Sequence, residues 1–313
     1  MLHLISLQDW PAELIAEVLA LADAVKQRPQ RYARSMAGRT LLMIFEKPSL
    51  RTRISFETGA TQMGGHAIYY DMGTSPLGTG KENVADTARV ISRYVDLVMA
   101  RLCDHAQLVE LARYATVPVI NALTNYSHPT QVLADLMTIR EKKGRLAGLQ
   151  LAYLGDGNNN VTHSLLLGCA KMGINIRVGC PAGRAYSPRP EVVRAAAAFA
   201  RQSGAQVLIT HRVAEAARGA DVVYTDSWMS YHIAPAKLRE RVRRFQPYQV
   251  NAALMKCAEP DALFMNCLPA LRGYEQTAEV LDSPQSVVFD EAENRLHVHK
   301  AIMLRLLKEN ARG

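Results

Sequence analysis

Short apolar runs alternate with longer amphipathic stretches along the whole chain. TLLMIF (40–45), HAIYY (66–70), DLVMA (96–100) and VPVIN (117–121) form one series of strand candidates. LQLAYLG (149–155), INIRVGC (174–180), AQVLI (205–209), DVVYT (221–225), ALFMNC (262–267) and SVVF (286–289) form a second. Strands that are apolar along their full length and separated by helices predict parallel sheets covered on both faces. Between them, a helix near 52–64 places Phe56, Ala60 and Met63 on one side, and one at 129–143 does the same with Val132, Leu136 and Ile139. The polar, glycine-punctuated EKKGRLAG (141–148) separates the two series. With 313 residues, more than one core usually serves, an α/β fold of two domains is expected, each a parallel sheet flanked by helices. Such sheets bind ligands beyond the carboxyl ends of their strands.

Composition narrows the class of function. The chain is 49% hydrophobic and 21% charged, as in ordinary soluble proteins. No apolar run approaches the roughly 18 to 20 residues that span a bilayer. MLHLISLQDWPAEL at the N-terminus lacks the basic and apolar regions of a signal peptide. Cys103, Cys169, Cys180, Cys257 and Cys267 show no metal-ligand spacing, which suits a reduced, cytoplasmic protein. The net charge of +8 suits either nucleic acid or small anions. Nucleic-acid binders concentrate charge in a stripe with interleaved aromatics. Here basic residues are scattered and only 6% of the chain is aromatic. LRERVRRF (238–245) is interrupted by Glu240 and alternates with apolar residues, so it reads as a solvated helix. A small anionic ligand is expected, with no nucleic-acid or membrane partner.

Four stretches carry candidate chemistry. In FEKPSLRTRISFETG (45–59) an apolar run meets Ser49, Arg51, Thr52 and Arg53 where a helix begins. A helix start offers N–H donors and a positive dipole end, and an arginine grips two oxygens at once, so the cluster suits a phosphate. The other reading is a helix cap with two surface arginines. HPTQ (128–131) sets His128 and Gln131 one turn apart behind a proline, able to donate to a carbonyl oxygen and accept from an amide, or simply structural. GDGNNN (155–160) starts like a dinucleotide fingerprint but has Asn160 at the third glycine position, so a tight turn presenting asparagines is the better reading. NCLPALRG (266–273) puts Cys267 at a strand tip, either as a buried core thiol or as a site residue.

Taken in order, FEKPSLRTRISFE, MARLCDH, HPTQVLAD, GDGNNNVTHS, TDSWMS, PYQVN, CLPALRGYE and AENRLH resemble the blocks of the aspartate/ornithine carbamoyltransferase family, and its ornithine branch most closely. The resemblance covers nearly the full chain. It implies a carbamoyl-phosphate domain of residues 1–142 and 297–313, an amino-acid domain of residues 143–296, and a C-terminal helix that returns to the first domain. It implies a homotrimer or a multiple of trimers, and a reaction that needs no metal or cofactor. Carbamoyl phosphate would be bound by Ser49, Leu50 through its backbone, Arg51, Thr52, Arg101, His128, Gln131, Cys267, Leu268 and Arg295. Of these, Arg101, His128, Cys267 and Arg295 would be catalytic. Ornithine would be held by Asn159, Asp226, Ser230 and Tyr231.

The match departs from the family pattern at four places. Leu50 replaces a threonine in the serine-threonine-arginine-threonine stretch, which removes one hydroxyl and keeps a backbone donor. Asn266 replaces the histidine that precedes Cys267. Ser230, Tyr231 and His232 stand where the family has serine, methionine and glycine, a change that either refits the pocket to another amine or disables it. The loop LGTGKE (77–82) is a residue longer than usual. Transfer to ornithine leads, ahead of transfer to a diamine or modified amino acid, and ahead of a non-catalytic relative that acts as a scaffold.

Overall fold

The computed structural model describes residues 1–77, 80–230 and 233–310. They fall into two compact units, one running to residue 137 and resuming at residue 293, the other spanning residues 138–292. The first unit opens with α1 (Ala12–Gln27) and then alternates strand and helix: β1 (Thr40–Phe45), α2 (Leu50–Gln62), β2 (His66–Asp71), α3 (Val84–Ile91), β3 (Leu97–Arg101), α4 (His105–Tyr114) and β4 (Val119–Leu123). All pairings are parallel and the strand order is β2-β1-β3-β4. The chain therefore leaves β1 in one direction through α2 and returns to its other side as β3. The crevice at the carboxyl ends of β1 and β3 is the topological switch point, where sheets of this kind bind ligands.

The strands β1, β3 and β4 read as near-continuous apolar runs because both faces are covered, and every residue from Leu97 to Arg101 and from Val119 to Leu123 is buried. Leu42, Ile44, Val98, Ala100, Leu108 and Leu111 share one side of this core. The edge strand β2 behaves differently: its sequence HAIYYD is more polar than that of β1 beside it, and Ile68 and Tyr69 are exposed.

α5 (Pro129–Lys143) leads into the second unit, whose order is β5 (Gln150–Leu154), α6 (Asn160–Lys171), β6 (Asn175–Gly179), α7 (Pro190–Ser203), β7 (Val207–Thr210), α8 (Val213–Ala217), β8 (Val222–Tyr224), α9 (Leu238–Phe245), α10 (Ala252–Met255), β9 (Leu263–Met265) and α11 (Ala278–Leu281). Its parallel sheet runs β7-β6-β5-β8-β9, with the switch point between β5 and β8. Ala152, Leu154, Val223, Val250 and Phe264 lie in its core.

The last helix, α12 (Val288–Asn310), returns to the first unit from Glu293 onward. It meets α2 at Gly59, where an added Cβ would come within 3.2 Å of Met303 and 3.3 Å of Lys300, so the small residue permits the close approach. The parallel α/β sheets and the returning helix agree with the expected fold class. One strand does not form. SVVF makes a single bridge, Ser286 to Phe264, with Val287 donating to the Phe264 carbonyl. Val288 and Phe289 then start α12, because the acidic Asp290 and Glu291 that follow suit the first turn of a helix.

Candidate functional site

The helix α2 begins at the carboxyl end of β1 with Ser49 as its N-cap in extended geometry, and Ser49 Oγ accepts from the Thr52 N–H at 3.4 Å. The N–H groups of Leu50 and Arg51 precede the first intrahelical acceptor and point out of the helix mouth. The Leu50 side chain is 69% exposed, so only its backbone serves the site. The two arginines of the motif divide. Arg53 pairs with Glu57 at 3.2 Å and lies 4.0 Å over the Tyr69 ring, a surface arrangement. Arg51 has its Nε buried without a hydrogen-bond partner among the described residues.

Other elements of the same unit converge here. Arg101 ends β3, buried, where the register with β4 shifts after Ala100. Such an irregularity re-aims the side chain that follows. Arg295 of α12 is also buried and donates from Nη2 to Thr52 Oγ1 at 2.6 Å, tying the last helix to the mouth of α2. One turn further along α12, His299 stacks on Phe56 with ring centroids 3.9 Å apart and shares a 2.9 Å hydrogen bond with Ser55 Oγ. His128 and Gln131 are buried at the start of α5. Gln131 donates Nε2 to Asp135 at 2.8 Å, which fixes Oε1 as the accepting end of the amide. Burial holds His128 well below the usual imidazole range, and the positive charges of Arg295 and Arg101 push it the same way. His128 is therefore a neutral donor or acceptor at pH 7, flanked by two buried guanidiniums.

The second unit builds its cluster at β5, β8 and β9. The turn after β5 is GDGNNN, and its glycines have separate reasons. Gly155 holds φ at +133°, and a Cβ on Gly157 would fall 2.7 Å from the Tyr186 carbonyl and 2.8 Å from Pro188. Asn159 then caps α6, its Oδ1 accepting from Val161 at 2.7 Å and Thr162 at 3.3 Å. Its amide end donates to Asp226 Oδ2 at 2.8 Å and lies 3.5 Å from Ser230 Oγ, both in the segment after β8. The Cys267 thiol, beyond β9, donates to the other Asp226 oxygen at 3.2 Å. Asp226 thus gathers an amide and a thiol from two other strand ends. Tyr231, His232 and residues Gly78 and Thr79 of the LGTGKE loop lie outside the described residues.

Next to Cys267, Leu268 adopts a left-handed φ of +54°. Asn266 holds it there: Asn266 Oδ1 accepts from the Leu268 N–H at 2.8 Å while Nδ2 donates to Gln276 at 3.2 Å. Asn266 is wholly buried, and its side chain closes this turn. Below the cluster, Glu275 accepts from the N–H groups of Trp228 at 3.1 Å and Leu271 at 3.2 Å, and burial raises its carboxyl. Asp156, in the GDGNNN turn, pairs with Arg241 of α9. Burial pushes its carboxyl up to about 6 while Arg241 pulls it back.

Asp156 and Glu275 lie inside quoted motifs without having been singled out, while Arg241 and His299 carried no candidate role. His299 lies four residues after Arg295, one helical turn, and that spacing was its only signal. Among the described residues no group of three His, Cys, Asp or Glu side chains is placed to hold a metal ion, and no helix is long and apolar enough to cross a membrane.

The model of the aspartate/ornithine carbamoyltransferase carbamoyl-phosphate-binding domain matches residues 2–141, and that of the family's Asp/Orn-binding domain matches residues 147–306. Ornithine carbamoyltransferase of Thermococcus kodakarensis is 50% identical over 299 residues, covering 95% of this chain and 93% of the relative. The solved ornithine carbamoyltransferase from Pyrococcus furiosus superposes with a TM-score of 0.93 at 47% identity, over 98% of this chain and 97% of its own. An N-acetyl-L-ornithine transcarbamylase variant complexed with PALAO superposes with a TM-score of 0.87 at 32% identity, over 98% and 100%.

Proposed function

This chain belongs to the aspartate/ornithine carbamoyltransferase family, and from that premise we propose that it transfers the carbamoyl group of carbamoyl phosphate to the side-chain amine of L-ornithine, giving L-citrulline and phosphate. The observation that carries the choice of acceptor is the Asn159–Asp226–Ser230 cluster. A carboxylate with an amide and a hydroxyl beside it matches the α-amino and α-carboxylate ends of an amino acid, and a plain diamine has no carboxylate for Asn159 and Ser230 to bind.

Residues 1–142 and 297–313 form the donor domain in this reading, and residues 143–296 the acceptor domain. The phosphate sits on Ser49 Oγ, the N–H groups at Leu50 and Arg51, the Arg51 guanidinium, Thr52 and Arg101. His128 and Arg295 face the carbonyl oxygen, and Gln131 Oε1 accepts from the carbamoyl NH2. Tyr231 follows Ser230 at the acceptor, and Cys267 with the Leu268 carbonyl attends the attacking amine. In the reaction the neutral amine nitrogen bonds to the carbonyl carbon, the carbon–oxygen bond to phosphate breaks, and one proton leaves the nitrogen. The side-chain amine, with a pKa of about 10.4 in water, must shed a proton before attack. Charge that grows on the carbonyl oxygen and the departing phosphate meets guanidiniums and a helix terminus already in place. Such preorganised donors are worth about 3 to 4 kcal/mol apiece when removed.

We further assign a homotrimer in a reducing cytoplasm. Leu50 and Ile54, one turn apart on α2, leave an exposed apolar patch that suits a second copy of the chain, and the five cysteines are free thiols. Light scattering checks the assembly against three chains of 34.6 kDa.

An acceptor panel tests the function. Carbamoyl phosphate is offered with ornithine, acetylornithine, lysine, putrescine and aspartate, scoring phosphate release and product mass. Turnover with ornithine above all others is expected. Preference for another amine moves the assignment to a transferase of different acceptor, the reading that Tyr231 and His232 keep in play, and turnover of none leaves a non-catalytic relative.

A further inference from the structure

LRERVRRF has the alternation of a solvated helix, and most of it is one. Arg239, Glu240, Arg243 and Arg244 of α9 are exposed, but Arg241 is 7% exposed. Arg241 lies one turn before Phe245, on the buried stripe, with its guanidinium carbon 4.8 Å from the Phe245 ring centroid. Its Nε donates to the Trp228 carbonyl at 2.5 Å and its Nη2 to Asp156 Oδ2. These two anchors belong to the two segments that carry the acceptor cluster. Asp156 lies three residues before Asn159, and Trp228 lies midway between Asp226 and Ser230.

Each anchor is itself tied down. Asp156 Oδ1 accepts from the Asn158 N–H at 3.1 Å, and its carbonyl accepts from Thr162 Oγ1 at 3.0 Å. The Trp228 N–H goes to Glu275, and its ring stacks on Phe245 with centroids 5.8 Å apart. A buried ion pair is weak as a source of stability, because desolvation of both charges offsets their attraction. What this one supplies is geometry, since a planar guanidinium bonded through two nitrogens ties the Asp156 carboxylate to the Trp228 backbone carbonyl.

We propose that Arg241 is a positioning residue for the amino-acid acceptor: it spans from Asp156 to the Trp228 carbonyl and so sets the separation between Asn159 and the Asp226–Ser230 segment. This rests on the carbamoyl-transfer reading above for its kinetic consequence. Acceptor affinity follows Arg241, and donor affinity does not.

The test compares Arg241→Met, which keeps the aliphatic stem and loses both bonds, with Arg241→Lys, which keeps the charge but reaches one anchor only. Arg243→Ala, on the exposed face, is the control. Three readouts are taken: KM for ornithine, KM for carbamoyl phosphate, and amide hydrogen exchange over residues 156–160 and 226–230. Misplacement of a binding group by about an ångström can weaken function by as much as about a hundredfold. Arg241→Met is therefore expected to raise the ornithine KM about 10- to 100-fold, leave the carbamoyl phosphate KM within about twofold, and speed exchange at 226–230 about tenfold or more. Arg241→Lys falls between it and the wild type, and Arg243→Ala matches the wild type. Unchanged ornithine KM and exchange in Arg241→Met overturn the proposal, as does a parallel rise in both KM values. Should Arg241→Met fail to fold, Arg241→Lys and Asp156→Asn carry the same comparison. Should the wild type transfer to no amino acid, the functional reading falls, and the exchange measurement still decides the positioning claim.

Discussion

In the first unit the candidate site hangs on one helix mouth. Ser49 to Thr52 occupy consecutive positions, and Arg101, His128 and Arg295 arrive around them from β3, α5 and α12. In the second unit no helix mouth gathers the group. Asn159 and Asp226 bond across 67 positions of sequence, and Cys267 reaches Asp226 across 41. Both clusters stand at the switch point of a parallel sheet, between β1 and β3 in one and between β5 and β8 in the other. The difference lies in what holds them. A helix aligns its own first N–H groups at no further ordering cost, so a donor site for phosphate is largely preorganised by secondary structure. Residues on three separate strand ends need cross-ties, which Asn266, Glu275 and the Asp156–Arg241 pair provide.

The sharpest way to break this contrast is at the helix mouth. Arg51→Ala should lower kcat/KM for carbamoyl phosphate about a thousandfold or more, the loss of about 4 kcal/mol expected when a charged, preorganised donor is removed. Circular dichroism should show an intact fold. Turnover within about tenfold of the wild type would remove Arg51 from the phosphate cradle.

On the acceptor side the expected loss is smaller. Asp226→Asn keeps the shape and discards the charge that receives Asn159 and Cys267, and should reduce kcat/KM for ornithine about a hundredfold, or about 2.7 kcal/mol, with carbamoyl phosphate binding unchanged. Calorimetric titration of each substrate separates the two. A matching loss of donor binding would mean that the two clusters are not the independent half-sites described above.

A third contrast concerns protons. His128 and His299 are held neutral in the folded first unit, His128 by burial and then Arg295, Arg101 and His299, and His299 by burial and then Arg295. Unfolded imidazoles titrate near about 6.5. Below that pH the unfolded chain binds protons that these folded histidines refuse, so stability falls as pH drops, and above it their contribution is constant. The slope is about 1.4 kcal/mol per pH unit for each histidine. His299→Gln should remove about that much slope below about pH 6, read from urea midpoints at successive pH values. An unchanged slope would show that His299 is protonated in the fold.

The smallest effect is expected at Asn266. Asn266→Ala leaves the Leu268 N–H and Gln276 without their partner and should destabilise the protein by about 1 kcal/mol. A shift in the urea midpoint measures it, and a neutral result would leave the left-handed Leu268 supported by the surrounding turn alone.

Local chemistry is what made parts of this molecule legible from residues. Strands such as TLLMIF are apolar because both faces are covered, and that pattern survives in one dimension. Ser49, Arg51 and Thr52 are likewise adjacent in sequence because one helix start displays them. SVVF failed as a strand because so short a run, with three apolar residues, suits a strand or a helix start equally, and Asp290 and Glu291 decided for the helix. HAIYY formed a strand but an exposed one, since edge position is a property of the sheet and not of the run. Arg241 was hidden among exposed arginines of the same helix, because its partner Asp156 is 85 residues away. The role of Asn266 was equally invisible, as its bonds depend on the backbone turn it closes.

The most direct measurement is a crystal structure with a non-hydrolysable phosphonate analogue of carbamoyl phosphate. The expected result places the phosphonate oxygens within hydrogen-bond distance of Ser49 Oγ, the N–H groups at the start of α2 and the Arg51 guanidinium, with its carbonyl toward His128. A phosphonate bound elsewhere, with Ser49 and Arg51 facing solvent, contradicts the assignment of the helix mouth as the donor site.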